Sequence, residues 1–160
     1  LRDGLDKIEI IEKGVDGVVV KAGGGVLKDA LLKWACEKEL SGLEFSSGVP
    51  GTIGGGIFMN AGTKYGSYGD VLTELRLFKF GSGISVFKRD ELHFGYREQD
   101  AVKDAIVLSA TFKLGIGHGP TIQTEINRII AERAEKQPLD FPSCGSTFKN
   151  PPGKSAGRLI

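Results

Sequence analysis

A run from Gly48 to Gly62 holds Gly48, Gly51, Gly54, Gly55, Gly56 and Gly62, with Val49, Ile53, Ile57 and Phe58 set between them. Glycine carries no Cβ and tolerates positive φ, so main-chain N–H groups in such a run can close on a ligand. An anion such as a pyrophosphate, or a flat polar ring, suits that kind of contact. The interleaved apolar residues argue against a solvated linker, and the glycines argue against a regular strand or helix. The plainer reading is a tight turn packed against a core.

Other side chains with chemistry are scattered. Cys36 and Cys144 are the only cysteines. Their spacing fits no zinc pattern, and a cytoplasmic chain keeps such a pair reduced. Cys36 is expected to be a buried helix residue. His93 and His118 stand alone, without the clustered carboxylates that a metal site needs, and are expected at the surface or in turns. Arg97 follows Gly95 at a turn, Ser146 follows Gly145, and Arg133 and Lys136 share one face near a helix end. Each has an ordinary structural explanation: a surface arginine, a turn serine, and cations that complement a helix dipole.

The elements that must position these residues can be read from periodicity. Ile8 to Ile11 is a short apolar run, and Gly17 to Ala22 is a valine-rich strand that ends in Gly23-Gly24-Gly25. Leu27, Leu31, Trp34 and Ala35 fall at helical spacing through Leu40, with Lys28, Lys33, Glu37 and Lys38 mostly on the opposite face. Trp34 is expected in the core, and Ser41-Gly42 is expected to end the helix. Leu72–Phe80 and Ile84–Lys88 form a hairpin over Gly81-Ser82-Gly83. From Ala105 to Leu114 the pattern alternates, with Ile106, Leu108, Ala110, Phe112 and Leu114 on one face and Val107, Ser109, Thr111 and Lys113 on the other, as in a half-buried antiparallel strand. Gly115 to Pro120 breaks the pattern and suggests a boundary. Thr121–Lys136 reads as a helix with Thr121 as N-cap, with Ile122, Ile126, Ile129 and Ile130 inward, and with Pro138 as its stop.

Composition bounds the answer. At 160 residues the chain holds one domain, or one and part of another. The 24 glycines are about twice the average share, so turns and close backbone approaches must use the excess. A formal charge of +1 gives no electrostatic footprint for nucleic acid or an anionic membrane, so an anionic ligand has to be met by a local cluster. No apolar run is long enough to span a membrane and no leader is visible, which makes a cytoplasmic protein the default. The chain starts at Leu1 and stops at Ile160, and is expected to be an internal piece of a longer protein.

Three ordered segments together resemble the UDP-N-acetylenolpyruvoylglucosamine reductases, the FAD enzymes of bacterial peptidoglycan precursor synthesis. They are Gly48-Val49-Pro50-Gly51-Thr52-Ile53-Gly54-Gly55 with Met59-Asn60-Ala61-Gly62 and Tyr65-Gly66; Phe94-Gly95-Tyr96-Arg97; and Pro142 to Pro151 with Ala156 to Ile160. The resemblance implies an α+β fold: the second subdomain of a two-subdomain FAD-binding fold, an antiparallel sheet flanked by helices, plus the start of the substrate-binding domain. It divides the chain into an FAD-binding domain at 1–119 and a truncated substrate domain from 120 to 160.

The implied reaction is NADPH-dependent, FAD-mediated reduction of UDP-N-acetylglucosamine enolpyruvate to UDP-N-acetylmuramate. The resemblance assigns FAD contacts to Gly48, Val49, Pro50, Gly51, Thr52, Gly54, Gly55, Gly56, Asn60, Ala61 and Gly62. Arg97 would grip the substrate carboxylate through paired N–H bonds, with Tyr96 beside it. Ser146 would donate the proton, although Cys144 is intrinsically the stronger acid. Lys136 and Asn150 would hold the UDP diphosphate. A Gly-Gly-Gly-Ser-Asn loop that precedes Arg2-Asp3-Gly4 in the family, and a later catalytic glutamate, have no counterpart here, so the chain is expected to be inactive alone. Two alternatives stay open: another flavoprotein oxidoreductase of the same architecture, and a non-catalytic nucleotide-binding module.

Overall fold

The computed structural model describes residues 4–137 and 147–160. In chain order the strands are β1 (Ile8–Gly14), β2 (Gly17–Gly23), β3 (Leu40–Ser41), β4 (Gly62–Thr63), β5 (Gly66–Ser67), β6 (Leu72–Lys79), β7 (Gly83–Lys88), β8 (Phe94–Gly95), β9 (Glu98–Gln99) and β10 (Ile106–Ile116). The helices are α1 (Lys28–Glu37), α2 (Ile53–Phe58), α3 (Tyr68–Val71) and α4 (Gly119–Lys136). The main sheet is antiparallel in the order β1-β2-β10-β6-β7, with β3 added at the end of β10. The expected hairpin over residues 81–83 is the β6–β7 pair.

One face of this sheet carries the core. Val18, Val20 and Ala22 of β2, Leu75 and Leu77 of β6, and Ala110, Phe112 and Leu114 of β10 are buried together. Leu31, Leu32 and Ala35 of α1, Ile53 and Ile57 of α2, and Ile122 and Ile126 of α4 close over them. Trp34 packs at the margin, and Cys36 is half-buried rather than buried.

Four sequence expectations change. Helix α1 ends at Glu37, because Glu39 takes a left-handed φ of 57° and turns the chain into β3 before Ser41-Gly42 is reached. Lys28 is not on the solvent face but only 4% exposed. In β10 the simple alternation holds from Ala110 to Leu114 only. A register shift between Val107 and Ser109 against β6 marks a bulge at Leu108, which resets the pleat and buries Val107 and Ser109. Helix α4 begins at Gly119 with His118 as N-cap and Pro120 in its first turn, and Thr121 does not cap it. Ile122, Ile126 and Ile129 are buried as expected, while Ile130 stays 43% exposed. The expected stop at Pro138 lies outside the described residues.

The glycine stretch is also corrected: Ile53–Phe58 is a short α-helix. Thr52 supplies the local reason, because its hydroxyl accepts from the Gly55 N–H as an N-cap. Tertiary contacts supply the rest. Gly54 N–H donates to the Gly24 carbonyl at 2.9 Å, Ile53 N–H to Val26 at 2.8 Å, and Lys28 N–H to Gly51 at 2.9 Å. Gly24 in turn donates to Leu108 in the bulge at 3.0 Å, so the loop is laced to the sheet through backbone alone. A Cβ at Gly24 would lie 2.0 Å from the Val107 carbonyl oxygen, which explains a glycine at that crossing.

Candidate functional site

The stretch 48–62 forms a rim over the buried face of the sheet, and two of the three sequence motifs meet on it. The β8–β9 hairpin turns through Tyr96 and Arg97, and Asn60 ties it down: Nδ2 donates to the Gly95 carbonyl at 3.0 Å while Oδ1 accepts from Gly69 N–H at 3.3 Å. The Arg97 guanidinium donates through both terminal nitrogens to the Gly62 carbonyl, each at 3.4 Å, and its carbon lies 5.2 Å from the Tyr96 ring centre. Arg97 holds this place with φ of 58°, a left-handed conformation that is costly for a long side chain, and so is a strained residue at a candidate site. Tyr96 is 55% exposed beside it.

Helix α4 brings a second guanidinium from the other side: Arg133 donates to the Gly48 carbonyl at 3.2 Å. Lys136 lies one turn further along, paired with Glu132. Glu132 also takes Lys64 at 2.5 Å and the Tyr65 hydroxyl, and Arg128 stands 3.8 Å from it. This cluster clamps the 63–66 turn to α4.

The bonds from Lys136, Lys64 and Tyr65, in that order of weight, hold the Glu132 carboxyl at about 2, below its ordinary 4.5. A depressed carboxylate contributes stability that is fully present above pH 4.5 and is lost as pH falls towards about 2. Glu132→Gln should therefore flatten the fall in melting temperature across that window. Because the cluster is exposed, added salt should shrink the difference. Parallel pH profiles for the two proteins at low salt would show that the clamp adds nothing.

The glycines of the rim divide by physical cause. Gly48 and Gly51 have φ of 66° and 119°. A Cβ at Gly54 would meet the Gly24 carbonyl oxygen at 3.0 Å, one at Gly56 the buried Tyr68 ring at 2.8 Å, and one at Gly62 the Gly66 carbonyl oxygen at 2.7 Å. Gly55 is different: its φ is ordinary, it is exposed, and a Cβ there would touch only the Thr52 hydroxyl at 3.5 Å. The fold gives no reason for glycine at 55, in a helix where glycine is costly. The N–H groups of Gly51 and Thr52 also find no acceptor among the described residues.

Lys28 is the residue that sequence reasoning missed. Its stem runs beneath the rim, with Cε 3.4 Å from where a Gly51 Cβ would be and Cδ 3.4 Å from that of Gly56. Burial lowers the pKa of its ammonium; Asp29 opposes this, and Arg133 and Arg97 add to it. The only available signal was the pair of glycines that leave room for the stem.

Ser146 and Cys144 lie outside the described residues. Asn150 is described, and its Oδ1 accepts from Ala156 N–H at 2.9 Å. Among the described residues no hydrogen bond joins 147–160 to the rim. His93 and His118 are exposed, and no group of metal-ligating side chains occurs among the described residues. No helix among them is long and apolar enough to cross a membrane.

Among solved structures, a UDP-N-acetylenolpyruvylglucosamine reductase from Thermus caldophilus superposes with a TM-score of 0.77 at 37% identity, covering 93% of this chain and 54% of that one. A solvent-stable cholesterol oxidase shares the fold alone, at 19% identity and a TM-score of 0.51. The architecture is therefore α+β, the second subdomain of a two-subdomain FAD-binding fold. Proteins named UDP-N-acetylenolpyruvoylglucosamine reductase from Latilactobacillus sakei and Listeria monocytogenes are 40% and 41% identical over 99% and 98% of the chain. A family model for the C-terminal domain of that reductase matches residues 137–160. The chain is a relative of the UDP-N-acetylenolpyruvoylglucosamine reductases, and it spans about half the length of those it matches, 54% and 52%.

Proposed function

We propose that the protein takes part in NADPH-dependent reduction of UDP-N-acetylglucosamine enolpyruvate to UDP-N-acetylmuramate, in the cytoplasm, with FAD seated on the 48–62 rim. The observation that carries this reading is the open backbone face at Gly55, with Arg97 and Arg133 arriving from two separate elements. These residues fit the cofactor: among the described residues the Gly51 and Thr52 N–H groups find no acceptor, and the backbone at Gly55 is open, with only the Thr52 hydroxyl near the position of a Cβ. FAD, when bound, supplies the hydride chemistry.

The chain's own residues do the rest. Gly48, Val49, Pro50, Gly51, Thr52, Gly54, Gly55, Gly56, Asn60, Ala61 and Gly62 form the seat, in which Asn60 also fixes the hairpin. Arg97 exchanges its carbonyl partner for the substrate carboxylate and stabilises the negative charge that grows there as C3 receives hydride. Ser146 holds the proton delivered to C2. Tyr96 lines the substrate, and Lys136 and Asn150 take the diphosphate.

We also place the domain boundary after Lys136 rather than at residue 119. Ile122 and Ile126 of α4 belong to the sheet's own core, and the C-terminal family match starts at residue 137.

The test is reconstitution with FAD followed by titration with a UDP-sugar. A flavin spectrum perturbed by UDP-N-acetylglucosamine enolpyruvate is expected. A bound flavin with no response to any UDP-sugar would favour another flavoprotein of this architecture, and no flavin binding would sink the reading.

A further inference from the structure

Lys28 carries a cation on a buried stem, with no visible purpose in the fold. It is 4% exposed, opens helix α1, and no carboxylate, carbonyl or hydroxyl among the described residues accepts from its ammonium. Charge in such a place is normally paired or avoided, since even its partial desolvation without a partner is costly. The surroundings make it worse: Arg97 and Arg133 both act on it as like charges, and Asp29 is the acid that opposes them.

The path of the side chain shows where the charge is delivered. Cδ passes the space left by the missing Cβ of Gly56, Cε that of Gly51, and Nζ ends 3.5 Å from the Gly51 Cβ position. The N–H groups of Gly51 and Thr52, which find no acceptor among the described residues, belong to the same turn. This glycine turn therefore has a positive charge brought up beneath it, and two arginines arrive from other elements. The desolvated charge of Lys28 is unfavourable in the empty fold, and all of these groups favour a negative group at that point.

Resting on the reading of the rim as a flavin seat, we infer that Lys28 is a further ligand-binding residue, whose ammonium holds an anionic oxygen of the bound flavin nucleotide against the Gly51–Thr52 turn. Two parts of that nucleotide carry such oxygen: the diphosphate, and the pyrimidine edge of the ring once reduced.

Lys28→Met keeps the length and apolar stem and removes the charge. In the intact protein it is expected to weaken FAD binding by roughly ten- to a hundredfold, the scale of a hydrogen bond to a charged group. The ligand-free melting temperature should stay level or rise, because a buried charge is gone. If the diphosphate is the partner, ADP affinity falls in step with FAD. If the ring is, ADP affinity is unchanged and the bound flavin becomes harder to reduce, read as a more negative midpoint potential. An unchanged FAD affinity together with an unchanged potential overturns the inference. So does a marked drop in ligand-free stability, which would make Lys28 a structural residue. Failure of the unmutated protein to bind FAD would instead strike the proposed function, and the inference with it; normal binding by both proteins strikes the inference alone.

Discussion

Arg97→Lys in the intact protein should slow consumption of the enolpyruvyl substrate by pre-reduced protein by roughly two to three orders of magnitude, the cost of losing one well-placed donor to developing negative charge. Lysine keeps the charge but loses the planar fork, and a point charge on a flexible stem cannot reproduce two parallel N–H bonds to a carboxylate. The substitution is a clean one on structural grounds. Among the described residues Arg97 gives the fold two 3.4 Å contacts to the Gly62 carbonyl and its place over the Tyr96 ring, where a lysine cation can also sit, and its left-handed φ of 58° is no harder for lysine than for arginine. Flavin loading and NADPH-driven flavin bleaching should therefore stay within a few-fold of normal. Arg97→Gly sharpens the contrast: it relieves strain worth about 1 kcal/mol or more, so the protein should become more stable while losing the reaction. Equal losses in both half-reactions for Arg97→Lys would identify a cofactor or folding residue instead.

What could be read from the sequence was what depends on near neighbours. The β6–β7 hairpin follows from two β-rich runs around a glycine turn, and the inner face of α4 follows from Ile122, Ile126 and Ile129 at helical spacing. Strand β10 shows where that method stops. Its composition alternates through Leu114, yet the bulge at Leu108 reverses the inward face at Val107, because register is set by the partner strand β6 and by the Gly24 N–H that bonds to Leu108.

Helix α2 was hidden for a similar reason. Three consecutive glycines oppose a helix locally, and what makes it form is the Thr52 cap together with hydrogen bonds from Ile53 and Gly54 to a segment nearly thirty residues earlier. The site followed the same division. Resemblance singled out Arg97, Asn60 and the glycines, but that Asn60 fastens the Arg97 hairpin, that Arg133 reaches Gly48, and that Lys28 lies under Gly51 and Gly56 are long-range facts with no local trace.

Gly55 offers the sharpest separation of stability from function in this chain. The other rim glycines fail for reasons of fold: Gly56→Ala would push a Cβ to 2.8 Å from the buried Tyr68 ring, and loss of flavin there would say nothing about contact. At Gly55 a side chain has room, an ordinary φ, and a solvent-facing position within α2. Helix propensity then favours the substitution, since glycine in a helix interior costs about 1 kcal/mol relative to alanine. Gly55→Ala should raise the ligand-free melting temperature by roughly 2–4 °C, the shift expected for about 1 kcal/mol in a domain of this size. Gly55→Val gains less, because branching at Cβ restricts the side chain in a helix, and should leave ligand-free stability close to normal. On the ligand side the order reverses. If a flat ring rests on the bare backbone at this point, a methyl lifts it and a branched side chain excludes it, so valine should abolish flavin retention while the circular dichroism and melting transition of the ligand-free protein persist. Yellow Gly55→Val protein with an unaltered flavin spectrum would show that the ring lies elsewhere, and would leave glycine at this position without any explanation in either the fold or the ligand.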